Sequence, residues 1–83
     1  MTHTKQISLA ELPVDGQAII VQFSSGRSET NRLVSLGFTP GARIGMAQNY
    51  GRGPLIVTVR GARVALGRGE ADKIIVEQRQ PNE

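Results

Sequence analysis

Residues 55–66 carry the stretch LIVTVRGARVAL, which has the pattern of a β-hairpin. Leu55, Val57 and Val59 share one face of the first half, and Val64 and Leu66 share one face of the second, so each half predicts a strand with one buried face. Gly61-Ala62 lies between the halves with glycine first, as a two-residue type II′ turn requires. Such a hairpin would place Arg60 and Arg63 directly opposite each other on adjacent strands, where like charges are mildly destabilising.

The rest of the chain supplies further segments of this kind, separated by turn residues. We therefore predict five short strands, at residues 17–23, 43–48, 55–60, 63–67 and 74–78. Small all-β domains protect their exposed strand edges by curling into a barrel. The pattern favours an all-β fold, a small SH3-like five-stranded β-barrel with one short helix after the first strand. An open antiparallel sheet is the alternative.

Residues 29–36 predict that helix, with Ser28 in position to cap its first turn. Leu33 and Leu36 lie three residues apart, so we expect both side chains to face the core. Gly37 follows at the place where a helix commonly ends in a left-handed conformation. Single helical turns are predicted at residues 8–11 and 70–73.

The length of 83 residues is enough for one small domain. We expect a single domain over residues 1–83, with an ordered core at about 7–78 and frayed ends. No apolar run approaches the roughly 18 residues of a membrane-spanning helix, and the N-terminus lacks the apolar segment of a signal peptide. The sequence contains no cysteine, which excludes disulfide frameworks and thiolate sites. These features predict a cytoplasmic protein without direct membrane insertion.

Ten cations stand against seven anions, which gives a formal net charge of +3, and eight of the ten cations are arginine. The planar guanidinium group suits carboxylates and phosphates. A partner with acidic or phosphate groups is therefore one interpretation, and a solvated basic surface is the other. The charge is small and dispersed for a dedicated nucleic-acid binder, so we predict no nucleic-acid partner. No pattern indicates an oligomeric state.

Residue types that carry catalysis or bind metals are sparse. The only histidine is His3, and the seven acidic residues are scattered along the chain. A metal site needs several converging ligands, and acid–base or nucleophilic catalysis needs paired groups. We therefore predict no metal site, no cofactor and no enzymatic activity. Phe23 and Phe38 are expected in the core, which leaves Tyr50 alone and unable to form an aromatic groove for proline-rich ligands.

Four segments together resemble one protein family. They are LAELPVDG at residues 9–16, RLVSLGFTPG at 32–41, the hairpin at 55–66 and EADKIIV at 70–76. The sequence is similar to the ferrous iron transport protein A (FeoA) family, and the run LGFTPG is its most specific part. The resemblance implies an SH3-like β-barrel that serves bacterial ferrous iron uptake as a small cytoplasmic accessory or regulatory protein.

The resemblance also implies a partner. That partner is a membrane ferrous-iron transporter with a cytosolic GTPase domain, which would recruit the protein to the inner face of the membrane by protein–protein interaction. The same segments resemble the SH3-like domain of iron-dependent repressors. A small-barrel nucleic-acid-binding or regulatory module is therefore the alternative function.

Loops and hairpin tips on a rigid barrel commonly carry binding residues. The predicted partner-binding residues are Arg60 and Arg63 on the hairpin, with Tyr50 and Arg52 in the glycine-rich loop at residues 49–54.

Two alternatives for this surface stay open. In the first, the hairpin arginines pair with Glu70 or Asp72, or extend into water. In the second, the partner docks on an apolar patch around Tyr50 and Leu55, and the arginines only keep the domain soluble.

Overall fold

The computed structural model describes residues 3–24 and 27–80 of the chain. Within these residues, six strands form one antiparallel sheet: β1 His3–Ser8, β2 Gln17–Phe23, β3 Arg43–Gln48, β4 Leu55–Val59, β5 Ala62–Leu66 and β6 Ile74–Gln80. A 3₁₀ turn and two short α-helices connect them: the turn Leu9–Glu11, α1 Arg27–Ser35 and α2 Arg68–Asp72. The predicted all-β class is confirmed.

The strand order is β1-β6-β2-β3-β4-β5, so β1 and β5 are the two edge strands. The 3₁₀ turn directly follows β1, and α2 directly follows β5. These two helical segments contact each other. Their contact brings the two edges of the sheet together, and the sheet wraps around one cluster of buried hydrophobic residues.

Strand β1 corrects the predicted count of five strands. It pairs with β6 along its whole length, from His3 opposite Gln80 to Ser8 opposite Ile75. The sequence of β1 is HTKQIS, with only one large apolar residue, so it lacks the alternation that identifies a strand. Backbone pairing with β6 stabilises it instead. Strands β1 and β6 therefore include residues outside 7–78, while residues 1–2 and 81–83 lie outside the described residues.

Helix α1 ends as predicted, at a glycine in the left-handed region. Gly37 has φ of +104°. Its N–H donates to the carbonyl oxygen of Val34 at 3.0 Å, and the N–H of Phe38 donates to that of Leu33 at 3.0 Å. This pair of bonds is a Schellman motif, and the buried side chains of Leu33 and Phe38 flank it.

The helix prediction needs two corrections. Helix α1 begins at Arg27, so Ser28 lies inside it rather than before it. Leu36 is 38% exposed, although it was expected to face the core, because the chain leaves the helix at Ser35 and turns through Gly37. Thus Leu33 alone of the predicted pair is in the core.

Candidate functional site

The outer face of the sheet is the face turned away from the core. On β3 the buried side chains are those of Ile44 and Met46. Because side chains alternate along a strand, Arg43 and Gly45 belong to the outer face.

One row of outer-face residues crosses four strands. Gly45 on β3 is paired with Gln17 on β2 and with Thr58 on β4. Thr58 is in turn paired with Arg63 on β5. Residues that are far apart in sequence therefore become direct neighbours on one surface.

A solvent-open trough of about 540 Å³ lies over this row. Arg43 on β3, Arg60 in the β4–β5 turn and Arg63 on β5 line it, and all three side chains are exposed. We call this surface, with Gly45 and Thr58 between the arginines, the arginine trough. Within the described parts of the chain, none of these three arginine side chains forms an ion pair or a hydrogen bond. Their guanidinium groups are therefore available to carboxylates or phosphates.

Asp15 supplies the one carboxylate among the described residues that line the trough. It has φ of +71° in the turn before β2, and its N–H donates to the carbonyl oxygen of Met46 at 2.9 Å. The N–H of Met46 donates to the carbonyl oxygen of Gly16, also at 2.9 Å. These bonds fix the turn against β3. The trough consequently has an acid in the turn before β2, one arginine on β3, and two arginines in the β4–β5 turn and on β5.

The predicted opposition of Arg60 and Arg63 is wrong. Val59 pairs with Ala62, so the two-residue turn is Arg60-Gly61 rather than Gly61-Ala62. Both turn residues have positive φ, at 52° for Arg60 and 79° for Gly61, which is the signature of a type I′ turn. The two arginines share the trough without facing each other across the ladder.

The carboxylates that were candidate partners for the hairpin arginines are bound elsewhere. Glu70 forms a salt bridge with Arg32 and accepts the N–H of Gly67 at 3.2 Å. Asp72 accepts the hydroxyl of Ser8 at 3.3 Å. Pairing of Glu70 or Asp72 with Arg60 or Arg63 is therefore wrong, and the exposed hairpin arginines extend toward water.

The other two predicted site residues lie outside the trough. Tyr50 is 77% exposed and Arg52 is also exposed, both in the loop between β3 and β4. Leu55 is 0% exposed, so an apolar docking patch around Tyr50 cannot include it. The structure thus brings together Arg60 and Arg63 and places Tyr50 and Arg52 on a separate loop.

A polar network fixes the start of that loop. The side-chain amide of Asn49 donates to the carbonyl oxygens of Ala10 at 3.1 Å and Leu12 at 3.0 Å. Its Oδ1 accepts the N–H of Gly51 at 2.9 Å and an N–H of Arg68 at 2.7 Å. The loop is therefore tied to the 3₁₀ turn and to α2.

Sequence reasoning missed Arg43 and Gly45 as site residues. The signal was present, because Ile44 and Met46 were expected on one face of their strand, which leaves Arg43 and Gly45 on the other. What was missing was the strand order that places this face beside Thr58 and Arg63.

The described residues contain no group of three or more His, Cys, Asp or Glu side chains placed to hold a metal ion. Among the same residues, no helix is long and apolar enough to cross a membrane.

Comparison with known proteins identifies the family. The model of the FeoA domain matches residues 7–78. The chain belongs to the FeoA family. The Fe(2+) transport protein A of Methanocaldococcus jannaschii is 38% identical over 64 residues, which cover 76% of this chain and 77% of that protein. Family membership therefore links the chain to ferrous iron transport.

Solved structures agree on the fold. A crystal structure of the iron uptake regulatory protein FeoA superposes with a TM-score of 0.84 at 33% identity, covering 90% of this chain and 99% of that one. The zinc complex of Stenotrophomonas maltophilia FeoA, described as an SH3 domain protein, superposes with a TM-score of 0.76 at 28% identity, covering 87% of this chain and 95% of that one. The SH3-like prediction is confirmed. A manganese-dependent transcriptional repressor shares the fold alone, with a TM-score of 0.81 at 18% identity over 92% of this chain and 43% of that one.

Proposed function

We propose that this FeoA-family protein is a cytoplasmic accessory of ferrous iron uptake that docks on a membrane ferrous-iron transporter bearing a cytosolic GTPase domain. It acts by protein–protein interaction at the inner face of the membrane and catalyses no reaction of its own. Family membership supports the transport role, and the arginine trough supports docking.

The trough is the observation that carries this proposal. Exposed arginines on one concave surface repel one another, and this repulsion is relieved when an acidic surface covers them. Arg43, Arg60 and Arg63 lie on or between strands of a paired sheet, so their backbone positions are set before the partner arrives. Complementary charge speeds encounter and makes association sensitive to salt.

Co-purification tests the docking. The full chain, carrying an affinity tag, is expressed in cells that lack the wild-type copy, and solubilised membranes are assayed for the transporter while ferrous uptake is measured in the cells. The wild type should recover the transporter and support uptake, and the double variant Arg60→Glu, Arg63→Glu should lose both.

The matched control is the double variant Lys5→Glu, Lys73→Glu, which makes the same charge change outside the trough. It should behave as the wild type. Both variants should keep wild-type circular dichroism, since all four side chains are exposed. Wild-type uptake and recovery in the folded trough variant would rule out the trough as the docking surface. Failure of the wild type to recover the transporter would rule out the partner.

A nucleic-acid-binding or regulatory module is the second candidate. The fold shared with a repressor and the basic trough favour it. However, single-strand binding by small barrels relies on aromatic side chains that stack on bases, and none of the described residues lining the trough is aromatic. A gel shift at two salt concentrations tests it, and a salt-sensitive shift at low micromolar protein would favour this candidate over transporter docking.

A further inference from the structure

Gly45 lies inside strand β3, before the register shift with β4 that falls between Met46 and Gln48. Glycine weakens a strand relative to residues with side chains. Its φ is not in the left-handed region. A Cβ added at this position would meet Gly16 O at 3.8 Å and Gln17 Cγ at 4.0 Å, which are ordinary contacts. Neither the backbone nor the packing therefore requires glycine. A strand glycine marks a bulge, a tight bend or a site where another molecule approaches the backbone closely. The arginines that line the trough around Gly45 favour the third interpretation.

Because Gly45 has no side chain, the backbone of β3 forms the floor of the arginine trough. Gln17 and Thr58 flank Gly45 in the row across the sheet. The backbone of β3 is paired on both sides, with β2 and with β4. The floor therefore offers close van der Waals contact to a ligand, while hydrogen bonding falls to the side chains around it.

The charges around this floor select the ligand. Arg43, Arg60 and Arg63 are distributed over two strands and a turn, so a chain with several separated carboxylates matches them better than one compact ion does. Guanidinium groups bind carboxylates in bidentate geometry. Asp15, in the turn before β2, repels carboxylates, which disfavours acidic groups at that edge of the trough.

We propose that the arginine trough binds a short, extended acidic segment of a protein partner, whose backbone crosses Gly45 and whose carboxylates pair with Arg43, Arg60 and Arg63. The identity of the partner, the cytosolic part of the ferrous-iron transporter, rests on the proposed function. The binding chemistry rests on the trough alone.

An NMR titration of the full chain tests the binding. The probe is a short synthetic peptide in which glutamate and serine alternate, and the matched probe replaces each glutamate with glutamine. We expect the amide signals of Gly45, Thr58 and Gly61 to shift with the glutamate peptide only, and the affinity to fall as salt is added.

Two variants should weaken binding at least about tenfold, the effect of losing one charge-assisted contact or closing the floor. They are Arg63→Glu and Gly45→Leu. Two controls should stay within about twofold, as exposed substitutions away from a site usually do: Lys5→Glu, and Gly69→Leu, which makes the same glycine-to-leucine change at an exposed position on α2.

Several results would overturn the proposal. They are shifts confined to the loop at residues 49–54, equal binding of the glutamine peptide, no binding at millimolar peptide, or tighter binding of inorganic phosphate, an oligonucleotide or anionic vesicles.

Co-purification of the same variants separates the two proposals. If Gly45→Leu and Arg63→Glu recover the transporter like the wild type, the trough proposal fails and the transporter role stands. If the peptide binds the trough but the wild type recovers no transporter, only the proposed partner fails.

Discussion

Replacement of Gly37 by valine should destabilise the protein through the backbone more than through a clash. Gly37 has φ of +104°, in a region that side-chain-bearing residues adopt at a cost of about 1–2 kcal/mol. Valine is branched at Cβ and resists this conformation further. The Schellman bonds on either side, from Gly37 to Val34 and from Phe38 to Leu33, prevent relaxation to negative φ without loss of the helix end.

The space around Gly37 adds a smaller penalty. A Cβ there would lie 3.3 Å from Cδ of Arg60 and 3.5 Å from Cγ2 of Val59. The first contact involves a flexible side chain that can move by a few tenths of an ångström. We therefore expect Gly37→Val to lower the free energy of unfolding by about 2 kcal/mol, which corresponds to a fall in Tm of roughly 8–16 °C for a domain of this size.

Thermal and urea denaturation measure the effect, and three alanine variants separate its causes. Gly41 has φ of +91° and nothing within 4 Å of an added Cβ, so Gly41→Ala reports the backbone penalty alone. Gly37→Ala should lose slightly more stability than Gly41→Ala, and Gly45→Ala should lose none. A Gly37→Val protein that unfolds at the wild-type temperature would refute the assignment of the strained helix stop.

Three further predictions concern the polar network of Asn49, the salt bridge between Arg32 and Glu70, and metal binding. Asn49→Ala should lower the free energy of unfolding by about 2 kcal/mol in urea denaturation, because it leaves partly buried groups without partners, while exposed Asn31→Ala should leave it unchanged. Glu70→Gln should change it by less than about 1 kcal/mol by the same measurement, since the salt bridge with Arg32 is partly exposed. Anaerobic calorimetry should detect no stoichiometric sub-micromolar ferrous site in the isolated protein, because the described residues contain no converging ligand cluster.

Strands with strict alternation could be located from sequence because one face of each is buried. In β4 the buried residues are Leu55, Val57 and Val59, which were predicted to share one face. Strand β1 escaped prediction for the opposite reason. Ile7 is its only large apolar residue, and the strand exists because β6 presents a long partner edge for backbone pairing. Tertiary context of this kind leaves little trace in local sequence.

In the hairpin, the hydrophobic periodicity does not determine the pairing register of β4 and β5. The predicted register and the observed one both place Val57 and Val64 on the buried face, so the hydrophobic pattern is satisfied by either. Only the turn distinguishes them. The observed turn requires positive φ at Arg60 and Gly61, and the rule that places glycine first selected the other pair. A shift of one turn position was enough to remove the predicted contact between the arginines.

The candidate site could be predicted only in part, because it belongs to the sheet rather than to any one segment. Its lining comes from three separate stretches of the chain, at residues 15–17, 43–47 and 58–63. They become neighbours through the antiparallel pairing of β2 with β3, of β3 with β4 and of β4 with β5, and no local pattern encodes which residues are paired. The composition indicated that arginine side chains bind the partner. The position of Gly45 at the floor of the trough could be derived only from the registers of β2, β3 and β4.

Gly37 connects the fold to the site. Because this glycine has no side chain, the aliphatic part of Arg60 can pack beside it, with Cδ 3.3 Å from the position of the missing Cβ. Arg60 itself occupies a left-handed turn position, which side-chain-bearing residues seldom adopt. The lack of a side chain at Gly37 thus leaves space for the side chain of Arg60 from the hairpin turn. A side chain at Gly37 would displace Arg60, so substitutions there should weaken binding of the acidic peptide as well as stability, whereas substitutions at Gly41 should affect stability alone.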